Sequence, residues 1–303
     1  MPHISEQSFQ DRATWITNIG TRGGSFTNDT DRLQNELRAD VAEEKGQRLY
    51  NHLRLCGNIP EQYDHDSSEE KQYSKYTDAL LSIAFERMAI NSLVLTERGD
   101  AADVEGFTKD YSFVADAKAF RLSRTAKNQK DFKVQQMDNW KHGKPFAMVV
   151  CPIYQVPSRS SQIYLQAIVR NVCVFTYSHL TVLVRIAEVV GEDVSQKLLH
   201  DIFLMISSFN PSKDSHGYWI PINQTMLKSC DEAKKFWKEE KEAVSETVVL
   251  GKKESLEYLA AMRERMVRMS HKEAVAALII QSKIDAKIRQ INSVSDNGLF
   301  GAV

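Results

Sequence analysis

The stretch DVEGFTKDYSFVADAK, residues 103–118, decides how this chain folds. Residues 104–107 and 111–118 are short runs rich in β-branched and aromatic residues, and the polar residues between them mark a turn. This pattern predicts a β-hairpin. Because the second strand of a hairpin returns beside the first, we expect Asp103, just before the first strand, to lie beside Asp116 near the end of the second.

Two charged side chains near the end of the second predicted strand share one face of it. Side chains at positions i and i+2 of a strand point the same way, so Asp116 and Lys118 project together if residues 113–118 are extended. With Asp103 added by the hairpin, two carboxylates stand beside one ammonium group. This grouping is a candidate active site.

Two carboxylates and a lysine suit the hydrolysis of a phosphodiester bond. That reaction needs neutralisation of charge at the phosphate, activation of a water, and help for the departing oxyanion. Mg²⁺ can supply these when one or two carboxylates hold it and it keeps several waters. We expect Asp103, Asp116 and the backbone carbonyl of Ala117 to be the metal ligands, and Lys118 to orient or deprotonate the attacking water. The PD-(D/E)XK nucleases have this arrangement.

The acidic-x-Lys spacing by itself is a weak signal. An acidic residue also stands two positions before a lysine at positions 43, 69, 131, 232, 239 and 285. Most of these lie in helical or charged contexts, where residues i and i+2 do not share a face. The pair at 116 and 118 differs because it ends an apolar strand. A structural ion pair at a strand end remains the alternative.

A basic segment follows the predicted strand directly. Residues 118–144 contain eight lysines and arginines against two aspartates, an excess of six positive charges, although the whole chain carries a formal charge of −1. Such local basicity is typical of DNA contact, and Arg, Lys, Asn and Gln side chains read base edges and hold phosphates. A solvated helix face is the alternative. The candidate DNA-binding residues are Arg121, Ser123, Arg124, Lys127, Asn128, Gln129 and Lys130.

The wider pattern predicts an α/β fold. Strand-like runs at 146–150 and 172–177 alternate with helix-forming segments at 125–141 and 161–170. This alternation indicates a mixed sheet flanked by helices. After residue 179 the chain is predominantly helical, with helices expected at about 180–190, 194–207, 229–246, 253–269 and 272–291 around a loop that Pro211, Gly217 and Pro221 mark.

The chain before the sheet is expected to differ along its length. Residues 1–29 show no sustained apolar period and predict a loosely held arm, whereas residues 30–55 and 69–95 predict helices. We therefore expect three regions. They are an N-terminal arm and helical region at 1–68, a catalytic core with its recognition segment at 69–178, and a helical packing and dimerisation region at 179–303.

The composition is that of a folded globular protein, with 42% hydrophobic and 26% charged residues. The four cysteines have no paired C-x-x-C spacing, so neither a zinc ribbon nor a disulfide framework is predicted, and reduced thiols favour a cytoplasmic protein. The N-terminus lacks the pattern of an export signal. The most apolar stretch, 172–190, is broken by Ser178, His179 and Arg185, so no membrane segment is predicted.

A longer pattern around the candidate site resembles a known family. VADAK at 114–118, followed by FRLSRTAKNQKDFKV at 120–134, is closely similar to the catalytic and recognition segment of the HindIII family of restriction endonucleases. The similarity covers most of residues 70–290. It includes YSK at 73–75, AFERMAINS at 84–92, ERG at 97–99, ADV at 102–104, SQIYLQ at 161–166, NVCVFTYSHL at 171–180 and, more loosely, HKEAVAALIIQSKI at 271–284.

The resemblance implies a homodimeric PD-(D/E)XK enzyme that uses Mg²⁺ to cut both strands of double-stranded DNA within the palindrome AAGCTT and leaves 5′ overhangs. Asp103, Asp116 and Lys118 fall at the family's catalytic positions. The target sequence is carried over on the near-identity of residues 121–134, the part expected to enter the major groove. Residues 1–68 show little that matches.

Two other functions stay open from the residues alone. A PD-(D/E)XK repair or junction nuclease would share the metal site while recognising DNA structure instead of sequence. A non-enzymatic DNA-binding protein would keep Asp103 and Asp116 for structural reasons only.

Two further features have a functional and a structural interpretation. Glu86 and Glu97 precede the predicted sheet and are candidates to assist a metal, with a solvated or capping glutamate as the alternative. Apolar residues at three- and four-residue steps near the C-terminus predict a buried helical face, with a dimer interface as the alternative. They are Leu256, Leu259, Met262, Met266 and Met269.

Overall fold

The computed structural model describes residues 2–21, 25–43, 46–95, 101–124 and 129–293. Within them lies a five-stranded sheet whose strand order equals the chain order. The first three strands pair antiparallel and the last three pair parallel, so the predicted mixed sheet is confirmed. The strands are β1 (Asn91–Val94), β2 (Val104–Phe107), β3 (Ser112–Ala117), β4 (Phe146–Cys151) and β5 (Val172–Thr176).

The predicted hairpin is formed by β2 and β3, in which Val104 pairs with Ala115 and Phe107 with Ser112. β3 is the central strand. Its other neighbour, β4, is parallel to it, and parallel strands need a crossover connection. That crossover contains α5 (Gln129–Phe132) and α6 (Val134–Asn139), so the basic segment lies between two adjacent strands.

Helices cover the sheet, and β4 and β5 are therefore buried along their whole length. Strands buried on both faces need cover on both sides. α7 (Gln162–Val169) connects β4 to β5, and α4 (Ser68–Arg87) buries twelve of its residues. The side-chain oxygen of Ser67 caps α4 by accepting the N–H of Glu70 at 3.1 Å.

The N-terminal region forms three helices, so the prediction of a loosely held arm is wrong for its described residues. They are α1 (Glu6–Gly20), α2 (Phe26–Ala42) and α3 (Gln47–Leu55). Ile16 and Ile19 of α1 are buried in the core. The buried Arg12 guanidinium donates to the backbone carbonyls of Leu55 and Asn58, both at 2.8 Å. A long polar side chain fixes this helix, which explains why apolar periodicity did not reveal it.

The helix predicted for residues 69–95 ends earlier than expected. α4 stops at Arg87, Ala89 adopts a left-handed conformation with φ 53°, and the chain turns into the edge strand β1.

The C-terminal half is helical, as predicted, with two differences. The expected loop around residues 211–221 is largely a helix, which Asp214 caps by accepting the N–H groups of His216 and Gly217. The two helices expected at 229–246 and 253–269 are one continuous helix. The C-terminal helices are α8 (Tyr177–Val189), α9 (Glu192–Ile206), α10 (Ser215–Lys228), α11 (Asp231–Arg268), α12 (His271–Gln281) and α13 (Ile284–Asn292).

The chain divides into two compact units, residues 1–255 and 256–303. In the second unit the predicted buried stripe is not buried, since Leu256 is 65% exposed and Met266 54%. Core packing within one chain is therefore the wrong interpretation of that stripe. Among the described residues, none of the helices combines the length and apolar composition that crossing a bilayer requires.

Candidate active site

Strand β3 fixes the backbone on which the candidate site is built. Asp116 pairs with Val149 of β4 in the parallel register and is fully buried. Immediately after the strand, the Lys118 N–H donates to the carbonyl of Val150 at 2.7 Å. The Tyr177 hydroxyl donates to the carbonyl of Lys118 at 3.0 Å. Both predicted residues are therefore held at the end of the sheet by neighbouring strands and helices.

The hairpin brings together the three side chains that the sequence singled out. The Lys118 ammonium forms an ion pair with Oδ2 of Asp116. Asp103 lies close enough to Asp116 for each carboxylate to influence the pKa of the other. The Asp103 carbonyl also accepts the N–H of Leu95 at 2.8 Å, which ties the start of β2 to the end of β1.

The two carboxylates respond differently to this shared environment. Burial raises the pKa of Asp116 to about 6, and the negative charge of Asp103 adds to the rise while Lys118 opposes it. Burial also disfavours ionised Asp103, but hydrogen bonding to Asp116 and the charges of Lys75 and Lys118 lower the pKa of Asp103 below its usual value. As pH falls, Asp116 is therefore the member of the pair that takes a proton first.

The oxygens of Asp116 are poorly satisfied. Within the described residues neither Oδ1 nor Oδ2 accepts a well-directed hydrogen bond, although the Lys118 ammonium touches Oδ2. An ion-pair contact by itself leaves lone pairs of a buried carboxylate unused. A buried carboxylate with free lone pairs fits a cation ligand, and carboxylate oxygens are the donors that Mg²⁺ prefers.

Helix α4 contributes two residues that the sequence did not single out. The Lys75 ammonium lies 2.9 Å from Oδ2 of Asp78 and 3.6 Å from Oδ1 of Asp103. Asp78 is buried, and its burial together with the charge of Asp103 raises its pKa well above the usual value. The signal available in the sequence was an aspartate directly before the apolar run ALLSIAF (79–85) of α4, a position where a charge is costly.

The two glutamates considered for metal assistance do not join this group in the described structure. Glu86 forms an ion pair with Arg38 of α2, with Nη2 of Arg38 at 2.8 Å from Oε1. Glu97 lies outside the described residues.

A cleft of about 600 Å³ opens over the site. Its lining includes Asp78 and Asp103 and four lysines: Lys71, Lys75, Lys118 and Lys133. Lysines around a carboxylate pair suit a phosphate that lies beside a bound cation, because the ammonium groups neutralise the oxygens that the cation does not contact.

The candidate DNA-binding segment begins next to this cleft, and its described side chains already have partners. The Arg121 guanidinium donates to Oε1 of Glu70 at 2.6 Å and to the carbonyl of Tyr63 at 2.7 Å. Arg124 forms an ion pair with Asp131. Lys127 and Asn128 lie outside the described residues, and only the helical backbone of Gln129 and Lys130 is described.

The loop that precedes α4 anchors this segment. The N–H of Ile59 donates to the carbonyl of Phe120 at 3.2 Å, and the N–H of Phe120 donates to the carbonyl of Gly57 at 3.0 Å. The Ser123 N–H and hydroxyl both donate to the Glu61 carboxylate, at 2.9 and 2.7 Å. The start of the segment thus runs beside residues 57–61 as a short parallel pairing.

Comparisons with known proteins agree with the resemblance found in the sequence. The profile of the HindIII restriction endonuclease family matches residues 12–295. The chain is also similar to the type II restriction enzyme HindIII of Haemophilus influenzae, with 43% identity over 136 residues. That alignment spans 44% of this chain and 45% of the Haemophilus enzyme. Since the family match runs from α1 to the C-terminal helices and includes the whole cleft, the chain belongs to the HindIII restriction endonuclease family.

Proposed function

We propose that this protein is a Mg²⁺-dependent type II restriction endonuclease with a PD-(D/E)XK active site. The observation that carries the proposal is the grouping of Asp103 and Lys118, which line a lysine-rich cleft, with the buried Asp116 beside them. Membership of the restriction endonuclease family supports the same activity. The reaction is hydrolysis of a phosphodiester bond in each strand of double-stranded DNA.

Each residue has a distinct role in this mechanism. Asp103 and Asp116 would hold Mg²⁺ together with the backbone carbonyl of Ala117. When bound, the ion neutralises charge on the phosphate and lowers the pKa of a water. Lys118 is held beside Asp116, so its ammonium would orient the attacking water, and its neutral amine form would help to take a proton from that water. The positive charges that line the cleft would attract the DNA backbone towards the carboxylates.

We further propose the palindrome AAGCTT as the target, cut to leave 5′ overhangs. Support comes from the similarity of residues 121–134 to the family's recognition segment. Arg121, Ser123, Arg124, Lys127, Asn128, Gln129 and Lys130 are the residues proposed to contact DNA. Bidentate contacts of Arg, Asn or Gln to bases distinguish one base pair from another.

A palindrome has two-fold symmetry, and each chain brings one active site. A homodimer would therefore present one site to each strand. The second compact unit exposes the kind of surface that such an assembly buries. Its exposed apolar residues include Leu256, Met266, Val267, Leu278, Ile280, Ile288 and Ile291. We propose that these helices form the dimer interface.

Digestion of linear DNA of known sequence, with Mg²⁺ or with EDTA, tests the function. With Mg²⁺, the expected result is a set of discrete fragments that end at AAGCTT, and sequencing of the ends is expected to show 5′ overhangs. With EDTA, the DNA is expected to stay intact. Cleavage confined to flaps or junctions would favour a structure-specific nuclease. Intact DNA bound by the protein would favour a non-enzymatic DNA-binding protein, and Asp116→Asn serves as the inactive control.

A further inference from the structure

Lys75 occupies an unusual position between two carboxylates of the cleft. It lies three residues before Asp78 on α4, so both side chains emerge from the same helix face. Its ammonium is 2.9 Å from Asp78 and 3.6 Å from Asp103, so Asp78 is its main partner. An ammonium has three N–H donors, and the contact with Asp78 accounts for one.

The ion pair between Lys75 and Asp78 adds little to the stability of the folded protein. The side chain of Asp78 is 3% exposed, and taking a carboxylate and an ammonium out of water costs about as much as their attraction returns. An apolar pair of similar volume would stabilise α4 equally well or better. The buried Asp78 carboxylate instead fixes the position of the charged Lys75 ammonium group.

Lys75 is better placed than Lys118 to reach an anion in the cleft. The Lys75 side chain is 24% exposed, whereas that of Lys118 is 11% exposed and in contact with Asp116. Lys71, one turn earlier on α4, and Ser74, the residue before Lys75, line the same cleft. This face of α4 therefore leads from the cleft opening to the carboxylates.

We propose that Lys75 is a further substrate-binding residue, which contacts the phosphate at or next to the cleaved bond, and that Asp78 is the positioning residue that holds it. The proposal rests on the proposed nuclease function. It assigns to α4 a share in phosphate binding beyond the hairpin and the basic segment.

The salt dependence of DNA binding tests the contact, because each neutralised phosphate contributes about 0.9 to the slope of log K against log salt. The probe is a fluorescein-labelled duplex with one AAGCTT site, titrated in EDTA so that no cleavage occurs. Lys75→Met is expected to reduce the slope by about 1, and Lys75→Arg to preserve it. Lys197→Met, which removes an exposed lysine of α9, is the matched control and leaves the slope unchanged.

Because Lys75→Met leaves Asp78 buried without its lysine, the double variant Lys75→Met/Asp78→Asn is measured beside it. It is expected to fold and to show the same loss of slope. An unchanged slope in a folded variant overturns the proposal. If the wild-type protein binds no duplex, the nuclease function itself fails, which is a different result.

Asp78 is tested by cleavage rates with Mg²⁺. Asp78→Asn keeps the charge of Lys75, so the slope is expected to stay near the wild-type value while kcat falls about ten-fold or more. Since Asp78 acts through Lys75, the double variant is expected to be no slower than Lys75→Met alone. Additive losses would show that Asp78 acts independently of Lys75 and would remove its positioning role.

Discussion

Glu61 accepts two hydrogen bonds from a single residue, Ser123: the backbone N–H at 2.9 Å and the hydroxyl at 2.7 Å. A backbone N–H together with a hydroxyl is also a common way to hold a phosphate oxygen. The carboxylate of Glu61 therefore occupies, on the proposed DNA-binding segment, a place where an anion binds.

The first prediction concerns this carboxylate. Glu61→Gln is expected to tighten binding to target and non-target duplexes alike, by about two- to five-fold, because one negative charge beside the phosphates is lost. Fluorescence anisotropy at low salt measures it. Asp110→Asn, in the exposed turn between β2 and β3, is the charge-matched control and leaves affinity unchanged. Weaker binding of Glu61→Gln would instead mean that Glu61 positions Ser123 for DNA.

The second prediction separates catalysis from binding. Asp116→Asn and Lys118→Ala are expected to bind the duplex but to cut it at least about 100-fold more slowly, because metal-supported chemistry and phosphate neutralisation are separate contributions. Single-turnover cleavage and gel shift on the same duplex measure both. Lys109→Ala, at the far end of the β2–β3 hairpin, is the control. Wild-type cleavage by either variant would remove these residues from the active site.

The third prediction concerns stability. Because burial raises the pKa of Asp116 to about 6, keeping this group ionised costs free energy at neutral pH. Asp116→Asn is expected to increase the free energy of unfolding by on the order of 1–2 kcal/mol at pH 7 to 8, since each pKa unit corresponds to about 1.4 kcal/mol and the lowered pKa of Asp103 offsets part.

The stabilisation by Asp116→Asn is expected to depend on pH. A raised pKa in the folded protein means that wild-type stability falls as pH rises from the unfolded value, about 3.9, through the folded value. The advantage of Asp116→Asn is therefore full above pH 6, shrinks between pH 6 and 4, and is absent below. Urea unfolding at several pH values measures it, and a pH-independent difference would contradict it.

The fourth prediction concerns packing beneath the hairpin. A Cβ at Gly106 would lie 2.6 Å from Cε1 of Phe113, whose ring is fully buried against Phe85 and Phe203. Gly106→Ala is expected to lower the free energy of unfolding by about 1–3 kcal/mol, the usual effect of overpacking a core. Gly217→Ala, where the nearest atom is 3.6 Å away, is the control and is expected to be neutral or stabilising.

The fifth prediction concerns assembly. The species bound to one AAGCTT duplex is expected to contain twice the chain mass of 34.5 kDa, by light scattering or native mass spectrometry. Ile280→Glu in α12, where Ile280 is 75% exposed, is expected to weaken this assembly. Leu204→Glu, also exposed but on α9, is the control. A monomeric complex that makes double-strand breaks in one binding event would contradict the dimer.

Local patterns predicted β2 to β5 because each of these strands has its own sequence signature, whereas β1 lies in residues that were predicted to be helical. β2 has the bounds of the predicted run VEGF, and β3 to β5 differ from their predicted bounds by one residue at one or both ends. The N-terminal helix α1 was missed because the buried Arg12 ties it to Leu55 and Asn58, and a buried arginine looks like a surface residue in a sequence. Pro211, Gly217 and Pro221 suggested a loop, yet the Asp214 cap starts α10 among them.

The candidate site also contains residues that the sequence predicted and residues that it did not. Asp103, Asp116 and Lys118 were predictable because a hairpin and a two-residue step are local geometry. Lys75 and Asp78 were not, because on a helix a lysine three residues from an aspartate usually marks a solvated face. Only the packing of α4 against β2 and β3 shows that this face looks into the cleft.

The chain that leaves β3 towards β4 is held at two nearby points. Lys118 and Arg121 are three residues apart, a span of at most about 10 Å of chain, and both ends are fastened: the Lys118 N–H to Val150, and the Arg121 carbonyl to the side chain of Gln155. In the proposed function, DNA recognition and cleavage therefore share one short stretch of polypeptide. Unlike a string of zinc fingers, this architecture is not modular, so a new target sequence cannot be grafted in without disturbing the machinery that breaks the bond. Under that proposal, a substitution in residues 118–121 is expected to change sequence specificity and cleavage rate together.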